Sequence, residues 1–498
     1  MARALLKRTL PGFAVFVLVW VAVFVWWHET RRLPTPRDIV GDLFALPAGL
    51  IVAYALVQRA IDGIRTAAAP LPRSQAQKAA PATMPHANAS ANADIAAPTA
   101  PARLQRASVM HATLRAAPAS DAVSLLAALS AGARAPLDAN LVDNAGFPVC
   151  AARVASVDDA RLDALRAAWP ASGAAATPDD DAQRAIALLE DTVIDALEPI
   201  AAALPAHRRA SVWLDAIVPH DWNAALDASL AQYLQHRAAA LYPRIQLHAA
   251  TVRDARPAAA FVQLDLAITA LDHAQRDAQA ARWHVVAAAH SALSEAAVER
   301  ADAEGRLFTS ARQQGAVAGE AAAALVLRGI GPFTNSAGDE SDDSDKSEAD
   351  ASPAPLAQIT CSTAGSHAQH ALDACLGPAL ANAQTEAAAV GTLIADGGAQ
   401  SARAVELARF AGAHFPSLEP LADTFAPDAA CGANGAAGTL LAVALAAQRV
   451  KDTQRAVFVA TLAHAHERAA LVVAPPDAAR AQAAASADTT PSTPSIRT

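Results

Sequence analysis

Two side chains in the C-terminal part of the sequence have types and positions suited to nucleophilic chemistry. Cys431 begins the run Cys-Gly-Ala-Asn-Gly-Ala-Ala-Gly, and Asp396 closes the apolar run VGTLIA and precedes two glycines. A thiolate is a strong nucleophile, and a neighbouring carboxylate can polarise it or serve as a charged group of its own. A small buried cysteine at the start of a helix is the simpler interpretation of Cys431. Both interpretations remain open.

Histidines and the remaining cysteines form two further groupings. In the hexapeptide AHAHER, His464 and His466 precede Glu467. On a strand these two histidines would share a face without a third ligand, which favours ordinary surface or subunit-contact residues. The second grouping has the spacing C-x5-H-x2-H-x4-C and consists of Cys361, His367, His370 and Cys375. This spacing is not typical of a structural zinc site, and Gly397 and Gly398 lack a phosphate-loop context, so the sequence predicts no metal and no cofactor.

The composition limits the classes of protein that fit. Of the 498 residues, 53% are hydrophobic and 17% are charged, which is enough for a substantial core. The net charge is −9, but the run 339–350 contains seven carboxylates and one lysine, so the rest of the chain is close to balanced. Without a basic stripe there is no electrostatic footprint for nucleic acid, and we exclude that partner. The four cysteines include no CxxC pair and fit a reducing compartment.

The N-terminal region predicts a membrane anchor. Residues 10–27, LPGFAVFVLVWVAVFVWW, are uncharged, follow Arg3, Lys7 and Arg8, and end in a tryptophan pair suited to the membrane interface. The following residues do not form a small-residue cleavage site, so we expect a transmembrane helix rather than a signal peptide. Residues 43–58 are a second apolar stretch that contains a proline, and they form either a second span or a buried or interfacial helix.

The number of spans determines which side of the membrane carries the rest of the chain. With two spans the large domain returns to the side of the basic N-terminus, which the positive-inside rule places in the cytoplasm. With one span the same domain would be periplasmic. The chain is rich in alanine and arginine and poor in lysine, which is typical of GC-rich bacterial coding. We therefore expect a bacterial inner-membrane protein with a cytoplasmic domain.

The chain divides into four parts by composition. Residues 1–65 form the predicted anchor, and residues 66–105 are a Pro/Ala-rich disordered tether. Residues 106–474 form a folded domain that contains an acidic disordered insert at 334–358, and residues 475–498 are a disordered tail. All chemistry is therefore expected within 106–474.

Short apolar strands alternate with alanine-rich helical stretches in the folded domain, which predicts an α/β fold with largely buried sheets. The predicted helices cover residues 181–203, 258–274 and 436–448. The predicted strands are SVWLDAI, RIQLHAA, WHVVAAA, AALVLRG, VGTLIA, AVFVATL and RAALVV.

A run of segments in this domain resembles the thiolase-fold β-ketoacyl synthases. In residues 306–329, RLFTSARQQGAVAGEAAAALVLRG, a Gly-Glu-Ala-Ala segment leads into a strand, as it does in the C-terminal half of that family. Other pieces follow the family's order, so that the likeness covers about 108–473. These pieces are residues 142–154, 282–295, 390–412, 428–447 and 455–473. The resemblance implies two similar α/β halves in a thiolase-like αβαβα five-layer sandwich, preceded here by one or two transmembrane helices, and usually a homodimer.

The resemblance also implies which positions would carry out the family's chemistry. A cysteine at the start of a buried helix takes up an acyl group, and two histidines stabilise negative charge that develops during decarboxylation. Here the cysteine position falls on Pro257, the first histidine on Asp396 and the second on Gly432. The family's glycine-rich gate corresponds to residues 463–466. No catalytic residue is therefore retained, and Cys431 is the residual candidate.

These observations favour a membrane-tethered, non-catalytic β-ketoacyl-synthase-like scaffold or binding module, accessory to a bacterial envelope or secretion assembly and contacting protein partners. One alternative is an active acyltransferase or thioester-processing enzyme that uses Asp396, Cys431 or a water molecule. Another is a sensor of acyl chains or of an acyl-carrier protein, which would need a basic rim for the acidic carrier. Candidates for that rim are Arg208, Arg209, Arg244, Arg253 and Arg256.

Overall fold

The computed structural model describes residues 106–254, 256–276, 283–330, 355–366, 371–397, 400–420, 422–464 and 467–476. By its contacts the chain divides into Met1–Ala97 and Pro98–Thr498, and all of these ranges belong to the second unit. No helix within these ranges is long and apolar enough to span a membrane. The predicted spans at 10–27 and 43–58, the tether and nearly all of the acidic insert and tail lie outside the described residues.

The described ranges contain both strands and helices. In chain order the strands are β1 (Arg106–Ala116), β2 (Leu137–Val142), β3 (Pro148–Ala152), β4 (Ala210–Val218), β5 (Ile245–Arg253), β6 (Trp283–Ser291), β7 (Ala318–Gly329), β8 (Ala357–Thr360), β9 (Thr363–Ser366), β10 (Val390–Ala395), β11 (Thr424–Phe425), β12 (Ala456–Thr461) and β13 (Glu467–Ala474). The helices are α1 (Ala122–Ser130), α2 (Asp159–Ala171), α3 (Asp180–Ala203), α4 (Ala224–Leu241), α5 (Ala258–Arg276), α6 (Glu295–Ala303), α7 (Ala371–Asn382), α8 (Ser401–His414), α9 (Asp428–Cys431) and α10 (Gly435–Thr453).

The sheet consists of two halves with the same strand order. The first half runs β1-β7-β6-β4-β5, with β4, β5 and β6 parallel and β7 antiparallel to both β1 and β6. The second half runs β8-β13-β12-β10-β11, with β10, β11 and β12 parallel and β13 antiparallel to both β8 and β12. Strands β1 and β8 pair antiparallel and join the halves. The helices α5 and α10 occupy equivalent places in chain order. Helix α5 lies between β5 and β6 in the first half, and α10 lies between β11 and β12 in the second.

Side chains from both halves pack around α5 and α10. The largest core cluster contains Phe261 and Leu264 of α5, Leu440 and Leu445 of α10, and residues from both half-sheets. A second cluster lies between the first half and α3 and α4, and a third between the second half and α7 and α8. The alanine-rich sequence of α10 suits this central place, because small helix-forming side chains allow close packing on both sides. The predicted mixed α/β fold is confirmed.

Element boundaries agree closely with the sequence patterns. The predicted helices at 181–203, 258–274 and 436–448 correspond to α3, α5 and α10, and the seven predicted strands correspond to β4, β5, β6, β7, β10, β12 and β13. One boundary was wrong: β8 begins at Ala357, inside the predicted insert, and its four residues are buried between β1 and β13. The strand was missed because its four residues are too few to show a periodic pattern and directly follow a low-complexity segment.

Candidate functional site

A cavity of about 210 Å³ lies where the start of α5, the end of β10, the α9–α10 turn and the β12–β13 connection meet. Its lining includes the three positions that the resemblance singled out, Pro257, Asp396 and Gly432, and the residual candidate Cys431. These residues lie up to 175 positions apart in the chain, so the fold alone brings them together. Further polar groups in the lining are Gln400, Asp428, Asn434 and His464.

Pro257 is buried and immediately precedes the first residue of α5. Its carbonyl accepts a hydrogen bond from Ala260 N at 3.4 Å, which places it in the opening turn. Proline suits this position because the first helical N–H groups have no partner within the helix. The ring has no group that can attack a carbonyl carbon. The cavity therefore meets a helix start without a nucleophile.

Gly432 cannot accept a side chain in this structure. Its backbone lies at φ 76° and ψ 176°, a combination that residues other than glycine avoid. A Cβ atom there would lie 2.7 Å from Gly319 Cα and 2.9 Å from Ala318 O. In the same way, a Cβ on Gly319 would lie 2.5 Å from Cys431 O. The two glycines let the α9–α10 turn rest directly on β7.

Asn434 fixes the same turn, although it was not among the site residues predicted from the sequence. Its Nδ2 donates to Cys431 O at 2.7 Å and to Gly432 O at 3.1 Å, and the residue is 3% exposed. Because the side chain reaches backward, it does not cap α10, which begins at the next residue. The pattern Cys-Gly-x-Asn-Gly was the available signal, since asparagine and glycine together are typical of tight turns.

Cys431 is an inert thiol in its present surroundings. It ends α9, is 2% exposed and belongs to the central core cluster. Burial, with a smaller contribution from the negative charge of Asp428, raises the pKa of the Cys431 thiol to about 12. At neutral pH the side chain is therefore the protonated thiol, which is not the nucleophilic form. The geometry fits the simpler interpretation, a small buried core residue.

Asp396 is buried and fully engaged by hydrogen-bond donors. Leu462 N and Ala463 N both donate to its Oδ1, the latter at 3.0 Å. The hydroxyls of Thr461 and Thr439 donate to Oδ2 at 2.7 and 3.4 Å. Burial raises the pKa of Asp396, an effect that outweighs the opposing influence of these four donors. The carboxyl joins β10 to the connection after β12.

The histidine groupings do not form a metal site within the described residues. His464 lines the cavity, whereas His466, His367, His370 and Gly398 lie outside the described residues. Within the described ranges no group of three or more histidine, cysteine, aspartate or glutamate side chains could hold a metal ion. Cys361 has a pKa raised to about 11, mainly by burial and also by Asp265 and Asp272. This thiol is likewise protonated at neutral pH.

Most of the arginines expected to form a basic rim have hydrogen-bond or ion-pair partners within the domain. Arg244 donates to the carbonyl oxygens of Ala201, Leu204 and Pro205 at the end of α3. Arg253 pairs with Asp227 at 2.9 Å, and Arg256 pairs with Asp254 at 2.7 Å and Glu467 at 3.5 Å. Of the five candidates, only Arg208 and Arg209, both in the exposed α3–β4 connection, make no side-chain hydrogen bond or ion pair with the described residues.

The size and charge of the cavity limit what it can bind. Its volume of about 210 Å³ is below the roughly 300–1,000 Å³ of typical ligand pockets. Its described lining contains two carboxyl groups, Asp396 and Asp428, and no arginine or lysine. A negatively charged group of an acyl carrier would therefore find no positively charged side chain in this lining.

Comparison with solved structures identifies the fold. Two structures of the ketosynthase from module 6 of the bacillaene synthase from Bacillus subtilis 168, one of them a mutant, match with a TM-score of 0.51 at 10% and 11% sequence identity. Each match covers 74% of this chain and 72% of that chain. An oxazolomycin ketosynthase domain from Streptomyces albus JA3453 matches with a TM-score of 0.49 at 13% identity, over 74% of this chain and 75% of that one.

The protein has a ketosynthase-like fold, that of the thiolase-like α/β proteins. At identities this low the likeness establishes the fold and no activity. No protein-family model matches the sequence, and no curated protein matches it.

Proposed function

We propose that this chain is a non-catalytic, ketosynthase-like binding or scaffold module that is tethered to a bacterial inner membrane. One observation carries the non-catalytic part: Pro257 stands where the central helix α5 meets the cavity, so that no nucleophile lies at this helix start. Covalent acyl transfer needs a nucleophile, and a helix N-terminus can activate a thiol but not a pyrrolidine ring.

The other groups in the cavity do not replace the missing nucleophile. The Cys431 thiol is protonated and buried, and both oxygens of Asp396 accept hydrogen bonds from the protein itself. Gly432 has no side chain with which to donate to a developing negative charge, and its contact with Gly319 leaves no room for one. What remains is a well-packed domain suited to presenting its surface to partners.

The membrane tether rests on residues 10–27 and on the charges before them. A single apolar stretch of that length is sufficient to span a bilayer. Deleting both apolar stretches, residues 10–27 and 43–58, from the full chain should move the protein from the membrane fraction to the supernatant after high-speed centrifugation. Continued sedimentation with membranes after a carbonate wash would contradict the tether.

The test of the non-catalytic role uses the purified full-length chain, incubated with acyl-CoA and acyl-carrier thioesters. Intact-mass spectrometry would detect a covalent acyl group on the protein. The free thiol of the CoA released from acyl-CoA would measure turnover. We expect no adduct and no release above that of a matched Cys431→Ala variant. An adduct lost in that variant, or turnover that requires the folded protein, would disprove the non-catalytic role.

A thioester-processing enzyme is the second candidate, and the raised pKa of Asp396 is the observation in its favour, because perturbed carboxyl groups in cavities often act in catalysis. The Asp396→Asn variant distinguishes the two functions. Asparagine can accept from Leu462 N and Ala463 N with Oδ1 and donate to the threonine hydroxyls with Nδ2, so the fold should persist. Hydrolysis of a thioester by the wild type that disappears in this variant would favour the enzyme.

A further inference from the structure

Residues 461–464, named here the wall segment, contribute Ala463 and His464 to the cavity lining and are held from two directions. From β10, the Asp396 carboxyl accepts hydrogen bonds from three consecutive residues of the segment: Thr461, Leu462 and Ala463. From β13, Arg468 Nη1 donates to His464 O at 2.6 Å. Every residue of the segment therefore has a hydrogen bond to one of these two side chains.

Arg468 is itself firmly positioned. It is 5% exposed, and its Nε and Nη2 donate to the two carboxyl oxygens of Glu406 on α8 at 2.9 and 3.0 Å. Glu406 also pairs with Arg403 at 2.9 Å. A two-pronged arginine–carboxylate pair of this kind fixes orientation as well as distance. The contact with His464 O thus connects the wall segment to an outer helix.

Gly397 allows the wall segment to approach the end of β10. A Cβ atom on Gly397 would lie 3.1 Å from Ala463 N and 3.2 Å from Leu462 C, and its φ of 78° favours glycine. The close approach places Ala463 N within reach of the Asp396 carboxyl. The Gly397 backbone, the Asp396 carboxylate and the Arg468 guanidinium therefore all contact residues of the wall segment.

We propose that Asp396 and Arg468 form a clasp that keeps the wall segment closed over the cavity and thereby shields Cys431 from solvent. The clasp then determines the size of the cavity, and Asp396 is a positioning residue rather than a proton-transfer group. The proposal stands independently of the proposed function, because exposure of a thiol involves no acyl transfer.

Cys431 serves as the reporter because it lines the cavity and is 2% exposed. The full chain would be treated with N-ethylmaleimide at fixed pH, and peptide mass spectrometry would follow modification of Cys431 and Cys375 over time. Cys375 is 1% exposed, lies on α7 in a separate core cluster, and reports unfolding of that part of the domain. Its Sγ lies 3.8 Å from Arg468 O, a backbone atom that none of the substitutions used below removes. The ratio of the two rates isolates local opening at the cavity.

Asp396→Ala leaves the buried N–H of Leu462 and the partly buried N–H of Ala463 without an acceptor, and the buried loss alone shifts an opening equilibrium by roughly fivefold to 100-fold. We expect the rate at Cys431, relative to Cys375, to rise about 30-fold or more. Asp396→Asn retains the acceptor and should stay within about threefold of the wild type. An unchanged ratio in Asp396→Ala, or an equal rise in both variants, would overturn the clasp.

A milder pair of variants covers the case in which Asp396→Ala fails to fold. Thr461→Val removes the 2.7 Å hydrogen bond to Asp396 and nearly preserves shape, so it should raise the relative rate at Cys431 roughly three- to tenfold. Thr392→Val removes an equally buried hydroxyl near the other end of β10, which donates to Gly391 O at 2.8 Å and accepts from Arg449 Nε at 3.2 Å. The control should leave the rate unchanged, and equal effects of the two variants would contradict the proposal.

Discussion

The contact between Gly319 and Gly432 gives a sharp prediction about stability. In Gly432→Ala the backbone must hold φ 76° and ψ 176°, a combination that costs about 1–3 kcal/mol for a residue with a side chain. The new Cβ would also meet Gly319 Cα at 2.7 Å and Ala318 O at 2.9 Å. Both are backbone atoms that cannot rotate away, so overpacking adds about 1–3 kcal/mol. We expect a total loss of about 4 kcal/mol in the free energy of unfolding.

Two variants separate the conformational part from the steric part. Gly132→Ala has a similar φ of 77° but no atom within 4 Å of the new Cβ, so it should cost only about 1–2 kcal/mol. Gly319→Ala lacks a positive φ, yet its Cβ would lie 2.5 Å from Cys431 O, so it reports the steric part alone. A loss of about 1–3 kcal/mol is expected for this variant.

Urea titration of the full chain, followed by tryptophan fluorescence, measures these differences. The domain contains four suitable reporters, all in its first half: Trp169, Trp213, Trp222 and Trp283. If Gly432→Ala and Gly132→Ala lose the same amount, the contact with Gly319 contributes nothing and the steric reasoning is wrong. The substitution Gly432→His should be at least as damaging as Gly432→Ala, which means that a histidine cannot simply be restored at this position.

Three further predictions concern ionisable groups. Because burial raises the pKa of Cys431 to about 12, its alkylation rate should climb with pH without levelling off below about pH 11, and a plateau near pH 8 would contradict the protonated state. Burial raises the pKa of Asp396, so its favourable contribution to stability is complete below the unfolded value of about 3.9 and is lost as the pH rises through the raised value. The wild type should therefore lose stability relative to Asp396→Asn as the pH rises above 4 in urea titrations, and a constant difference would refute this. Arg184→Met leaves Glu320, which is 0% exposed, without its 2.6 Å partner and should cost about 3–5 kcal/mol by the same titration, whereas a loss below about 1 kcal/mol would show that the pair is dispensable.

The sequence predicted the elements well because their signal is local. Buried strands such as β10 and β12 are continuous apolar runs, and helices such as α10 are long alanine-rich segments without proline. The resemblance implied two similar α/β halves, but the strand order within each half came only from the structure. The short strand β8 was missed because four residues next to a low-complexity segment carry too little pattern.

Residues that line the candidate site were predicted from the sequence, but the hydrogen bonds that they form were not. The family resemblance implied Pro257, Asp396 and Gly432 as the corresponding positions, and all three line one cavity. The sequence did not show that Asp396 would accept from the backbone of residues 461–463, since a backbone donor looks the same in every sequence. It also did not reveal the pairing of Arg184 with Glu320, which are 136 positions apart. Such partners are defined only after the strands have been assembled.

The shared core around α5 and α10 has a consequence for how this chain is made. The first half of the sheet, complete at Gly329, buries its inner face against residues of α10, which ends at Thr453. At roughly 5–20 residues per second, a ribosome takes several seconds to synthesise the intervening chain. During that interval the nascent first half exposes the apolar side of α5 that packs against α10 in the finished domain. Newborn chains of this protein should therefore depend on chaperones until the second half emerges, and truncated products that stop between the halves should aggregate.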